Sequence, residues 1–122
     1  MGIQYTTKTV GGILYVEASG YDHCLADVEE YVIGLHKVCL ESGVQLVLCD
    51  ESAVKNDLSC LDTYEVGLFL SRFVPTYLRI AIVFNPDTSF DIRFLESMLI
   101  NRGQQIRIFT DTASAREWLE SL

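Results

Sequence analysis

After about twenty residues the chain begins to alternate short apolar runs with longer amphipathic segments, and this alternation limits the folds that it can adopt. Three runs, VQLVLCD at 44–50, YLRIAIVFN at 77–85 and QIRIF at 105–109, have the length and the branched side chains of buried strands. The segments beside them repeat apolar residues every three or four positions, as amphipathic helices do. The pattern predicts a sheet whose parallel strands are connected by helices.

The start of the chain has a different pattern. Residues 3–10, IQYTTKTV, and 13–19, ILYVEAS, are rich in β-branched and aromatic residues, and Gly11-Gly12 between them suits a two-residue hairpin turn. The first two strands are therefore predicted to be antiparallel. The expected fold is one α/β domain over residues 1–122, with element order ββαβαβαβα and a mixed five-stranded sheet flanked by helices on both faces.

Capping signals place the first two helices. A stripe of apolar residues marks the first helix, for which Asp22 is a plausible cap and Gly43 the end. The stripe consists of Leu25, Val28, Val32, Leu35 and Cys39. Ser59 is predicted to open the second helix, because Ser59-Cys60-Leu61-Asp62 resembles a capping box, and Pro75 follows its end.

The last two helices are shorter. Phe94, Leu95, Met98 and Leu99 share one face of the third, which is expected to end at Arg102-Gly103. The fourth is expected to be capped by Asp111 or Thr112 and to present Ala115, Trp118, Leu119 and Leu122 along one stripe. That stripe requires a sheet to cover it, so Trp118 is predicted to pack against the sheet.

Charge and hydropathy exclude several partners. The net charge of -8 repels phosphate backbones and anionic lipid headgroups, which argues against nucleic acid and membrane surfaces. The N-terminal MGIQYTTKTVGG lacks the basic start and apolar run of a signal peptide, and no apolar stretch approaches the length of a membrane span. We expect a cytoplasmic protein.

Catalytic and metal-binding motifs are not evident. Cys24, Cys39, Cys49 and Cys60 lie too far apart for a CxxC pair or the paired ligands of common zinc sites, so reduced and mostly buried thiols are expected. GxSxG, P-loop and GxGxxG sequences are missing. Asp50 lacks the partner residues that a phosphoryl-accepting aspartate would need. The sequence predicts a non-enzyme without cofactor or metal.

Three stretches, VQLVLCDESA, YLRIAIVF and above all NRGQQIRIFTDTASAREWL, combine with the element order to resemble the SpoIIAA-like proteins of the STAS superfamily. In those proteins the last third commonly has an Asn-Arg-Gly turn, a strand ending in Phe, an Asp or Thr cap and an Ala-rich helix with Trp-Leu. The resemblance implies a small bacterial cytoplasmic domain that works by binding. Some relatives antagonise anti-sigma factors, and others have been compared with Sec14-like lipid carriers.

The resemblance also implies one site residue. Regulatory STAS proteins carry a phosphorylatable Ser in an Asp-Ser-Ser-Gly type sequence at the start of the second helix. The equivalent segment here, Asn56-Asp57-Leu58-Ser59-Cys60, keeps a Ser but lacks the Gly and the paired serines. We predict that Ser59 lies in a partner-docking surface with Asn56 and Asn85, and that phosphorylation there would change docking more than folding.

Other polar residues are expected at the same edge, because ligands of open α/β sheets bind outside the carboxyl ends of the strands. Ordinary caps and loop residues would give the same pattern. The residues in question are Asp50, Glu51, Ser52, Asn56, Ser59, Asn85 and Asp87.

The second helix has more apolar residues than one buried stripe needs. The surplus either covers the edge of the sheet or forms a surface for a partner, a lipid or a second copy, with Phe69 and Phe73 as anchors of a homodimer. Two functions follow: a protein-binding regulator, or a carrier of a small apolar or lipid-like ligand. A pocket between the second and third helices would favour the carrier, and a flat apolar patch beside Ser59 would favour the regulator.

Overall fold

The computed structural model describes residues 2–56, 58–85 and 92–121. Within these residues the elements follow the predicted order. They are β1 (Ile3–Val10), β2 (Ile13–Asp22), α1 (Leu25–Ser42), β3 (Leu46–Asn56), α2 (Cys60–Phe73), β4 (Arg79–Phe84), α3 (Ile92–Asn101), β5 (Gln105–Phe109) and α4 (Thr112–Glu120).

The strands form one mixed sheet in the order β1-β2-β3-β4-β5. β1 is antiparallel to β2, and each of the other neighbouring pairs is parallel. Gly11 and Gly12 have φ angles of 58° and 81°, so both adopt the left-handed backbone that a tight hairpin turn requires. The mixed five-stranded sheet and its opening hairpin are confirmed.

Helices cover both faces of the sheet, but unequally. α1, α2 and α3 lie on one face, where their apolar residues pack on alternate strand residues such as Val47 and Cys49. α4 covers the other face, where Ala115 and Leu119 pack against Leu48 and its neighbours on β4. Successive strand residues point to opposite faces, so β3 contributes to both layers.

The last third of the chain forms the strand and helix that its sequence predicts. Asp111, rather than Thr112, caps α4, because its Oδ1 accepts a hydrogen bond of 2.7 Å from the backbone N–H of Ser114. The bonds from Ser114 lower the pKa of Asp111. Trp118 packs on the sheet side of α4, 6.0 Å from the Phe109 ring and 4.0 Å from the Arg79 guanidinium. The predicted position of Trp118 is confirmed.

Two predictions, one about the cap of α1 and one about the end of β3, are wrong. Asp22 does not cap α1: the residue before the helix is Cys24, and Asp22 is the buried last residue of β2, paired with Asn56. β3 does not end at Asp50 but continues to Asn56. Both errors have one cause, since the ladder between β2 and β3 supplies backbone hydrogen bonds that carry each strand past its polar residues.

Candidate functional site

Ser59 lies at the N-terminus of α2, as the capping box predicts. Its backbone is extended, and its Oγ accepts a hydrogen bond of 3.0 Å from the Asp62 N–H. Its carbonyl accepts hydrogen bonds from the Thr63 N–H and hydroxyl. The Ser59 side chain is nevertheless exposed, so a partner or a modifying enzyme can reach it.

Asn56 and Asn85 occupy the same edge of the sheet as Ser59 but different levels of it. Glu51 pairs with Phe84, whereas β3 runs on beside β2 as far as Asn56. Along the strand direction, Asn56 therefore lies roughly 13 Å beyond the level of Asn85, at 3.3 Å per residue. A surface containing both amides has to span that step, a distance well within the reach of a protein interface.

Exposed apolar side chains flank Ser59. On α2, Leu61 is 65% exposed and Tyr64 is 44% exposed, and both lie within two turns of the cap. On α3, Phe94 is 46% exposed. Because α2 and α3 each follow a parallel strand, their N-termini meet at one edge of the sheet, which places these three side chains at the same end of the molecule as Ser59.

Asp50 and Glu51 are adjacent in sequence but face opposite sides of the sheet. Asp50 lines an open groove of about 660 Å³ on the α4 side, together with Lys8, Glu17 and Arg116. Its Oδ1 accepts hydrogen bonds from the Ser52 hydroxyl at 2.6 Å and the Ser52 N–H at 3.1 Å. The groove has charges of both signs. Asp87, the remaining residue predicted at this edge, lies outside the described residues.

Glu51 points to the other face, beneath the three helices. The Tyr31 hydroxyl of α1 donates a hydrogen bond of 2.9 Å to its Oε2. Burial is the main reason that the pKa of Glu51 is raised to about 7; the hydrogen bond from Tyr31 lowers it, and the charge of Asp50 raises it, by smaller amounts. Near neutral pH this carboxyl therefore changes between its charged and uncharged forms.

Tyr31 and Cys49 are buried more deeply than Glu51, which is partly exposed. Burial raises the pKa of Tyr31 well above its ordinary value, with smaller contributions from Cys49 and Glu51. Burial also raises the pKa of the Cys49 thiol, which lies beside the Tyr31 hydroxyl. A phenol and a thiol that both stay protonated thus adjoin a carboxyl that is close to its titration point.

The sequence indicated Glu51 as an edge residue but did not indicate its burial or its pairing with Tyr31. One signal was present: Tyr31 comes three residues after Val28 and four before Leu35, so it lies on the buried face of α1. A tyrosine on a buried face needs a hydrogen-bond partner for its hydroxyl. The identity of that partner depends on tertiary packing between residues twenty positions apart.

Phe69 and Phe73 make intramolecular contacts. Their rings stack with centroids 5.2 Å apart, and the Phe73 ring meets the His36 ring edge-on at 5.0 Å. Both phenylalanines are half-buried and line a groove between α1 and α2. These contacts are within α2 and with α1 rather than with the edge of the sheet.

Among the residues that the structure describes, no group of three or more His, Cys, Asp or Glu side chains is arranged to hold a metal ion. None of the helices in this part of the chain is long and apolar enough to cross a membrane. Cys39 and Cys49 are buried as expected, whereas Cys24 and Cys60 are exposed, and all four thiols are free.

A family model matches residues 11–119: DUF4180, a domain of unknown function. The chain belongs to the DUF4180 family. No curated protein matches it.

Two solved structures resemble this DUF4180 domain. An anti-sigma factor antagonist from Mycobacterium paratuberculosis superposes with a TM-score of 0.64 at 16% identity, covering 98% of this chain and 96% of the other. An uncharacterized DUF3478 protein with a SpoIIAA-like fold from Shewanella loihica PV-4 gives a TM-score of 0.51 at 18% identity, covering 97% and 94%. This DUF4180 domain therefore has a SpoIIAA-like fold.

Proposed function

We propose that this DUF4180 domain is a non-catalytic regulator that acts by binding a protein partner, in the manner of an anti-sigma factor antagonist. The observation that carries the proposal is the exposed cap Ser59, flanked by the exposed apolar side chains of Leu61 and Tyr64. An apolar patch rimmed by polar residues is typical of a protein interface. The likeness in fold to an anti-sigma factor antagonist supports the same function.

Phosphorylation of Ser59 would act mainly on this interface. A phosphate at the N-terminus of α2 would be favoured by the helix dipole and its free N–H groups. The neighbouring Asp62 carboxylate would oppose it. These opposing effects are similar in size, so the charge added to the surface, rather than a change in folding, is expected to alter partner binding.

The test is a pull-down from the source cells with wild-type protein and the Ser59→Ala and Ser59→Asp variants. Ser42→Ala is the matched control, because Ser42 is also an exposed helix-end serine but lies at the C-terminus of α1. We expect Ser42→Ala to recover the wild-type partners and Ser59→Asp to lose them. Equal recovery by all folded variants would show that Ser59 is only a helix cap.

Binding of a small apolar ligand is the second proposed function, and two small, partly open cavities favour it. Each has a volume of about 80 Å³ and lies between the sheet and the helices of the three-helix layer, one of them reaching Val66 of α2 and Leu95 of α3. Cavities of this size are too small for an acyl chain, since even benzene needs about 150 Å³. They favour a small ligand over a lipid.

Self-association through Phe69 and Phe73 is a further proposal about partners. Their half-buried rings leave apolar surface beside the α1–α2 groove, and aromatic anchors contribute much of the energy of protein interfaces. Light scattering at high micromolar concentration tests the proposal. A dimer that Phe69→Ser converts to a folded monomer would support it, and a wild-type monomer would contradict it.

A further inference from the structure

The two small cavities adjoin each other at the Glu51–Tyr31 pair. Both are lined by Tyr31, Val32, Glu51, Leu70 and Ile82, which form the wall between them. Neither alone has the volume of about 150 Å³ that holds benzene, but their two volumes of about 80 Å³ together come to about that value. A rotamer change in the apolar part of this shared wall would join them, with the Glu51 carboxyl inside the combined space.

Glu51 has an acceptor to spare at this place. Its Oε2 accepts the hydrogen bond from Tyr31. Within the described residues, the Glu51 side chain makes this hydrogen bond alone. A carboxylate can accept several more. The described lining of both cavities contains no Lys or Arg, and His36 is the basic side chain that lines one of them. Among these described lining residues, no Lys or Arg side chain therefore neutralises Glu51.

Strand alternation directs Glu51 to this position, because Cys49 and Glu51 face the three-helix layer and Asp50 between them faces α4. Glu17 pairs with Asp50 and Ser19 pairs with Ala53, so two residues of β3, Glu51 and Ser52, face a single residue of β2. Such a bulge changes the direction of the side chains that follow it, and bulges are common beside binding sites. The hydrogen bond from Tyr31 uses one of the two carboxylate oxygens, which leaves the other available to a ligand.

We propose that the joined cavities bind one small apolar amine, about the size of benzylamine, whose ammonium group donates a hydrogen bond to the free oxygen of Glu51. The inference rests on the second proposed function and adds to it the anchor residue and the chemical class of the ligand. A charge-assisted hydrogen bond is stronger than one between neutral groups. The net charge of -8 also raises the local concentration of cations around the protein.

The experiment compares benzylamine with toluene, which has nearly the same shape but no donor. Titrations at pH 8 are followed by methyl NMR shifts of Val32, Leu70 and Ile82, on wild type, Glu51→Gln and Glu17→Gln. Glu17 is exposed and lines the groove on the α4 side, so Glu17→Gln makes the same change in net charge away from the cavities. We expect Glu51→Gln to weaken benzylamine binding about tenfold or more and to leave toluene binding unchanged.

The remaining outcomes separate the inference from the function on which it rests. If both compounds bind but Glu51→Gln weakens neither, the cavities bind ligands and the assignment of Glu51 is overturned. If neither compound shifts the methyl signals, both the inference and the second proposed function are overturned. Val32→Phe, which fills the shared wall, should abolish binding of both compounds, and binding that survives it would place the ligand elsewhere.

Discussion

The two faces of the sheet differ in how completely they are packed. Beneath α4, Ala115 and Leu119 are 0% and 1% exposed, and they meet a layer of apolar strand residues. Beneath α1, α2 and α3 lie two cavities and a carboxyl whose pKa burial raises to about 7. The layer beneath α4 is a closely packed core, and the 660 Å³ groove on that side is an open surface feature beside the helix. The layer beneath the other three helices retains two small cavities and a partly buried carboxyl that cost stability.

This difference indicates where function is to be sought. Protein interiors normally pack closely, so empty space is an exception. A group whose pKa is shifted by its surroundings is a candidate for binding or chemistry. Ser59 also belongs to this side of the molecule, because it is the N-terminal cap of α2. Substitutions beneath α4 should therefore change stability alone, and substitutions on the other side should change binding or pH dependence as well.

The largest expected effect is that of Leu119→Ala, because it opens a cavity in the closely packed layer beneath α4. Removing a fully buried leucine costs about 3 kcal/mol in the free energy of unfolding, measured by urea denaturation. Partner recovery by the folded fraction should not change. A loss below about 1 kcal/mol would mean that the α4 face can collapse around the gap, and the contrast between the faces would then be wrong.

The second effect depends on pH. Because the folded pKa of Glu51 is about 7 and its ordinary value is 4.5, folding favours the protonated form, and this contribution to stability is lost as pH rises between those values. Glu51→Gln removes the titration. The unfolding free energy of the variant minus that of wild type should therefore increase by about 2–3 kcal/mol between pH 5 and pH 8.

Urea denaturation at both pH values measures that difference, with Glu17→Gln as the control for an exposed carboxylate. Glu17→Gln should show almost no dependence on pH relative to wild type. If Glu51→Gln behaves in the same way, Glu51 is solvated in the folded protein, and the polar character assigned to the three-helix face is wrong.

The sequence predicted the regions whose structure is decided by neighbouring residues. The strand QIRIF, the cap before α4 and the capping box at Ser59 all depend on contacts within four positions, and all are present in the structure. The extension of β3 to Asn56 and the bulge at Glu51 depend on pairing with β2, about thirty residues earlier. Local patterns carry no information about such a register, so these features could not be read in advance.

The same distinction applies to the candidate site. Ser59 could be predicted as a cap because a cap is a local signal. Glu51 was expected just beyond the end of a strand, whereas it lies within β3. Its direction into the three-helix layer and its bond to Tyr31 required the relative placement of α1 and β3. Asp22 illustrates the reverse case, since its type suits a helix cap but strand pairing with Asn56 determined its structure.

The third effect compares two helix caps on opposite faces. Ser59→Ala and Asp111→Ala each remove a side-chain acceptor for a helix N–H, and each should cost about 1 kcal/mol of unfolding free energy. Ser59→Asp should restore most of that stability, because Asp is also a good cap. Only the substitutions at Ser59 should change partner recovery, and a loss of partners with Asp111→Ala would place the docking surface elsewhere.

The smallest effect on stability is expected for Leu61→Ser, which replaces an exposed leucine, whereas Leu119→Ala replaces a buried one. Leu61 is 65% exposed, so its replacement should alter the free energy of unfolding by no more than about 0.5 kcal/mol. Its effect on partner recovery should be large, because an apolar side chain beside Ser59 contributes to binding only when a partner covers it. Leu40→Ser, 63% exposed on α1, is the matched control and should retain the partners. If Leu61→Ser retains them equally well, the apolar patch at the start of α2 is not the docking surface, whatever the result at Ser59.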